Sequence, residues 1–229
     1  MKKLVLFLFS ALLLAKVQAS DYQVESIIFE NLNAGTDNEI WRIEGVLPSL
    51  PESIELISDA KSDEALGEKD RQYIEQPRAE YKLTAVYDAL RVSSKYEPLV
   101  HVAWKQPALD YSDAEFVRLT LVEQSPDAEY FSDLKKLDGV IRIRSAYFLH
   151  ADVHLLYLLE PLPVESENSN QSDTQPDAQN PLAVPEYNAI YAELKDTMRL
   201  KLNELYYFDH PGFGLIIRVS RIDENSDLL

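Results

Sequence analysis

The stretch Met198–Ile222, MRLKLNELYYFDHPGFGLIIRVSRI, limits the fold more than any other part of the chain. It reads as two β-strands joined by a tight turn. His210 precedes a proline, which steers it to an extended backbone. Pro211 supplies the fixed φ of a turn's second position, and Gly212 the positive φ that a type II turn requires next. Leu200, Leu202, Leu205 and Tyr207 before the turn, and Leu215 to Val219 after it, suit strands. An isolated hairpin is marginal in water, so the rest of the chain must supply a sheet for this one to join.

Such material is present. Tyr22–Glu30 (YQVESIIFE), Leu99–Trp104 (LVHVAW) and Phe116–Val122 (FVRLTLV) are β-branched and aromatic. Val140–Leu159 is a long extended run in which Arg142 and Arg144 alternate with apolar residues, read as two paired strands or one long bent one. Asp138-Gly139 is a turn signal ahead of it. Between Ala79 and Ser93, Leu83, Val86, Tyr87 and Leu90 follow helical spacing behind Pro77, and Glu186–Lys195 is read as a second, short helix. Asn31–Lys69 is a polar excursion containing Pro48 and Pro51. Residues 163–185 form a polar, low-complexity insert (SENSNQSDTQPDAQNP at its heart) too poor in apolar groups to offset the entropy of ordering. The expected fold is α+β, with a mainly antiparallel sheet, one principal helix and long polar insertions, in a single domain over residues 20–229.

Residues 1–19 read as a secretory signal peptide. Lys2 and Lys3 precede an apolar run from Leu4 to Ala15, and Val17-Gln18-Ala19 suits a signal peptidase. The apolar run is too short for a lasting membrane anchor, so no stable membrane insertion is expected. There is no cysteine to lipidate or to form disulfides. The bacterial style of the leader points to the periplasm. Removing it takes away three lysines and no acid, leaving 19 basic and 39 acidic residues and a formal charge of −20. That balance argues against nucleic-acid binding, which needs clustered Lys and Arg, and against docking on anionic lipid.

Motifs for catalysis are sparse. His150 and His154 have a spacing that could share zinc on a helix, but their context is a strand, where four residues span about 13 Å. Asp209-His210 lacks a nucleophile motif to complete a triad. Six glycines leave little material for a phosphate loop. Glycoside cleavage needs only two suitably spaced carboxylates, and nothing singles out a pair here. Aromatic and carboxylate groups together suit a binding surface that stacks on sugars and accepts hydrogen bonds from hydroxyls.

Several segments in sequence order resemble the CsiV family of gammaproteobacterial peptidoglycan-binding, cell-shape integrity proteins. They are Tyr22–Phe29 with Glu39-Ile40-Trp41, then Leu99–Pro107, then Leu137–Ile143, Tyr147–Asp152 and Tyr207–Gly214. The resemblance implies a non-enzymatic periplasmic protein that binds peptidoglycan. It also implies that the protein promotes wall assembly by supporting the lipoprotein activator of a class A penicillin-binding protein. No cofactor or catalytic residue is implied. The alternative is an envelope adaptor between proteins, without wall contact. The acidic charge would make binding depend on stacking and hydrogen bonds, since like-charge repulsion fades within about 8 Å. Candidate ligand-binding residues are Trp41, His101, Trp104, His150, Asp209, His210 and Phe213. Each has a structural reading beside it: the tryptophans as core or loop anchors, the histidines as hydrogen-bonded sheet residues, Asp209 as a turn former.

Overall fold

A computed structural model describes residues 21–33, 42–43, 48–58, 72–122, 135–162 and 188–222. The expected signal peptide (residues 1–19), the expected insert at 163–185 and Trp41 therefore lie outside the described residues. Among the described residues there are twelve strands: β1 (Asp21–Asn31), β2 (Arg42–Ile43), β3 (Ser53–Ile54), β4 (Ile57–Ser58), β5 (Ile74–Glu75), β6 (Tyr96–Pro107), β7 (Phe116–Val122), β8 (Lys135–Ser145), β9 (Leu149–Leu162), β10 (Asn188–Leu200), β11 (Leu205–Asp209) and β12 (Phe213–Arg221). They form two six-stranded sheets, ordered β11-β12-β1-β6-β5-β4 and β2-β10-β9-β8-β7-β3. All long pairings are antiparallel; the short β3–β7 and β4–β5 pairs are parallel. The antiparallel expectation holds, but it is shared between two sheets, and strand makes up 62% of the structure. Helix is a minor ingredient: α1 (Thr84–Arg91), preceded by a 3-10 turn at Arg78–Glu80.

The inner faces of the sheets meet in one core. Val24, Ile28, Trp104, Leu215 and Ile217 come from the first sheet, and Val117, Leu137, Ile141, Val153, Leu155 and Leu194 from the second. β1 is the spine of the first sheet, pairing β12 on one side (Tyr22 opposite Arg221) and β6 on the other (Tyr22 opposite Gln106). Eight successive residues of β1 are buried; the segment ahead of α1 lies over its outer face, where Gln23 bonds Glu80 O and Glu25 bonds Lys82 and Leu83 N–H. Pro98 has no N–H to give the ladder. It is accommodated where the β1–β6 register shifts beside Phe29, leaving Leu99 as the extra residue of a bulge.

Two local expectations are corrected. Glu186–Lys195 is not a helix: residues 188–200 are strand β10, paired along its length with β9. Its apolar positions alternate, with Ile190, Ala192 and Leu194 buried in turn, and the open edge beside β9 rewards extension. Asp138-Gly139 is not a turn but the middle of β8. Gly139 is needed there for close approach, since a Cβ would come within 3.0 Å of both His154 O and Leu155 Cα on β9. The true turn lies at residues 146–148, where β8 gives way to β9.

The closing hairpin exists, with two differences. Its first strand begins only at Leu205, because a turn at residues 201–204 carries the chain from β10 in the second sheet to β11 in the first. Asn203 makes that turn at φ 64°, a left-handed conformation that asparagine tolerates well. At the tip, His210 N–H donates to Phe213 O (3.1 Å) and Phe213 N–H to His210 O (3.3 Å) around Pro211-Gly212. Gly212 does not have the positive φ of a type II turn. The tip is held instead by a side chain, described next.

Candidate functional site

Six of the seven candidate residues are described, and they do not gather at one place. His101 lies on the outer face of β6 beneath α1. Its Nε2 meets Glu25 Oε1 at 2.7 Å, with side-chain exposures of 2% and 3%. Tyr81 and Tyr87 flank the imidazole at 4.7 and 4.8 Å between ring centres. The same carboxylate accepts Lys82 N–H (2.7 Å) and Leu83 N–H (2.9 Å). Leu83 is the N-cap of α1 and has no capping side chain of its own. Glu25 thus reaches up from the sheet to hold the two N–H groups just ahead of α1, serving the N-cap N–H as the glutamate of a capping box would.

Trp104 is fully buried in the core. Its indole N–H donates to Gln106 Oε1 (2.9 Å), whose amide donates onward to Ile143 O (3.0 Å) on the opposite sheet. Phe213 is also buried, stacked on Tyr157 with centres 5.2 Å apart. Asp209 is exposed and accepts the Tyr207 hydroxyl at 2.6 Å. Burial, then this hydrogen bond, pushes the Tyr207 phenol above its ordinary range. His150 is half-buried on β9, its Nδ1 3.1 Å from Phe148 O. Among the described residues no three His, Cys, Asp or Glu side chains converge as a metal site.

His210 explains the hairpin tip. It is buried, its Nδ1 accepts Gly212 N–H at 3.1 Å, and its ring tilts against Phe213 at 4.8 Å. Only a neutral ring can accept there. Burial lowers its pKa, partly offset by Asp209. A histidine depressed in the folded state contributes stability that is fully present above its unfolded value, about 6.5, and is lost as pH falls toward the lower folded value. Thermal unfolding of the wild type should therefore lose midpoint as pH falls below about 6.5. A His210→Asn variant, which keeps an acceptor without titrating, should show a flatter profile. Parallel profiles would refute the assignment.

The arrangement best suited to hold a ligand was not among those candidates. On the outer face of the second sheet lies a groove of about 500 Å³ lined by Pro51, Tyr111, Phe116, Arg142, Arg144, Asp152, Val153, His154, Lys195, Asp196 and Thr197, three cations against two carboxylates. β-strand alternation builds its floor: Arg142 and Arg144 from β8, Asp152 and His154 from β9, and Lys195 and Thr197 from β10 stand on one face. Arg142 is opposite Asp152, and Asp152 opposite Thr197. Asp152 Oδ2 accepts Arg142 Nε (3.0 Å) and Nη2 (2.8 Å) and Arg144 Nε (2.8 Å). Its Oδ1 accepts Arg144 Nη2 (3.2 Å) and Thr197 Oγ1 (2.9 Å). Burial alone would push this carboxyl up; the bonds from Arg144, Arg142 and Thr197 outweigh it and hold the pKa below the usual range.

Aromatic rings fix the other side of the guanidiniums. Arg142 lies 4.4 Å from the ring centre of Tyr111 and 4.3 Å from that of Phe116, and Arg144 lies 5.4 Å from Tyr111. Tyr111 sits on the loop between β6 and β7. Asp110 braces that loop by accepting Ser112 N–H (2.9 Å) and Oγ–H (2.7 Å). The ring is 66% exposed, so its outer side is open to a ligand. His154 is spent on Glu193 (2.7 Å) at the groove's edge. The sequence signal for this site was the alternation of Arg142 with Arg144 and the spacing of Lys195, Thr197 and Arg199, cations concentrated on one face of an acidic chain.

Comparison with curated proteins and with solved structures returns no significant match. A family model described as "Peptidoglycan-binding protein, CsiV" matches residues 1–222, nearly the whole chain and every strand described above. The chain belongs to the CsiV family of peptidoglycan-binding proteins.

Proposed function

We propose that the mature chain is a non-enzymatic periplasmic protein that binds peptidoglycan and supports wall assembly through the lipoprotein activator of a class A penicillin-binding protein. The observation that carries the wall-binding reading is the groove: an aromatic-walled cluster of cations on a chain whose formal charge is −17 even with its leader. An anionic polymer would be repelled by most of such a surface and attracted here, so the field itself selects the binding face. The non-enzymatic reading is supported by the way the buried acid–histidine pair is used. Glu25–His101 is sealed beneath α1 and Glu25 is committed to backbone donors, out of a substrate's reach. The link to the lipoprotein activator, and the periplasmic location, follow from the resemblance and from the leader.

Purified mature protein should sediment with sacculi at physiological salt and release no soluble muropeptides from them. A protein left in the supernatant, but crosslinked to the lipoprotein in envelope preparations, would identify a pure adaptor. Released muropeptides would identify a hydrolase.

A further inference from the structure

We infer that the groove on the second sheet receives a free carboxylate of a peptidoglycan stem peptide, with Arg142 and Arg144 as its donors and Lys195 as a second cation; the inference rests on the wall-binding reading above. Its basis is an unequal pairing. Two guanidiniums share the single carboxylate of Asp152. Each has five N–H donors and spends two of them on Asp152, so each keeps three for a ligand. One positive charge is left over at the pair, and a second carboxylate would complete a two-to-two arrangement of the planar, charge-assisted kind that arginine favours.

The receptor is also assembled in advance. Asp152 fixes the edge of each guanidinium, while Tyr111 and Phe116 hold the face of Arg142. Little side-chain freedom remains to be lost on binding. Lys195 is exposed on the groove wall and has no ion-pair partner among the described residues. The site's volume suits a short peptide terminus, and the open side of Tyr111 can cover the apolar part of a stem residue. A glycan backbone would leave the spare charge of the two guanidiniums unmatched, since its hydroxyls carry no charge.

The test compares mature wild-type protein and Lys195→Glu on three preparations: intact sacculi, sacculi freed of peptides by an amidase, and sacculi whose carboxyl groups have been chemically amidated. The Lys195 side chain makes no hydrogen bond or ion pair among the described residues, so the variant should match the wild type in thermal midpoint. The wild type should bind intact sacculi and bind both modified preparations at least about tenfold more weakly, as the loss of a charge-assisted contact implies. The variant should bind intact sacculi about tenfold more weakly as well. Equal binding to peptide-free glycan, or unchanged binding by Lys195→Glu, would overturn the carboxylate assignment while leaving wall binding in place. Failure of the wild type to bind intact sacculi would overturn the wall-binding reading and this inference with it.

Discussion

Replacing Glu25 with alanine is expected to cost about 3–5 kcal/mol of folding stability, the range seen when one member of a buried ionic network is removed. Three donors converge on this carboxylate: His101 Nε2, Lys82 N–H and Leu83 N–H, at 2.7–2.9 Å. Removing it strands the two N–H groups just ahead of α1 and leaves a buried imidazole without its partner. The loss is large against a typical total of about 5–15 kcal/mol. The helix should loosen first, because α1 has no fully buried residue of its own and no local cap. Glu25→Gln keeps the shape and one acceptor oxygen and should lose less. Urea unfolding followed by circular dichroism measures both, and a loss below about 1 kcal/mol for alanine would refute the anchoring role. Folded Glu25→Gln should still bind sacculi as the wild type does, since α1 and the groove cover outer faces of different sheets.

Trp104→Ala should have an effect of the same size for a different reason. A fully buried tryptophan truncated to alanine typically costs about 3–5 kcal/mol, through lost transfer energy and the cavity left behind. Here the cost also includes Gln106, which loses the indole donor while still bound to Ile143 O across the core. Trp104→Phe refills most of the volume and should recover the larger part. If Trp104 were instead a sugar-stacking residue, the alanine variant would stay folded and fail only to bind sacculi; thermal unfolding and sedimentation read together separate the two outcomes.

The strands were legible where composition and burial agree. Tyr22–Glu30, Leu99–Trp104 and Phe116–Val122 are β-rich and lie in sheets, and the extended run after Val140 does divide into two paired strands. Failures came where a short signal was overruled by a distant partner. Gly139 looks like a turn until the backbone of β9 is laid against it. Residues 186–195 look helical until the edge of β9 is available. The helix was placed correctly but drawn too long, because its N-terminus is set by Glu25, far upstream in sequence. The same limit hid the binding groove. Trp104, His101 and Phe213 attract attention as rare or aromatic residues, yet such residues are often recruited to cores. The groove is made of common cations from three strands, with Tyr111 from a loop, and only the sheet register brings them together.

The place of β1 has a consequence for how the chain matures. Its two neighbours are β6 and β12, so the first described strand is flanked by the last one. A polypeptide delivered amino-end first must keep the apolar face of β1 unpartnered on one side until the carboxyl-terminal hairpin arrives. Pairing between such remote segments is slow, because loop closure must precede any gain from contact. The β8–β9–β10 meander can form early, while the first sheet closes last. Truncation just before β11 should thus yield a protease-sensitive chain, because β1 would keep one edge unpaired and the hairpin that latches the first sheet would be missing.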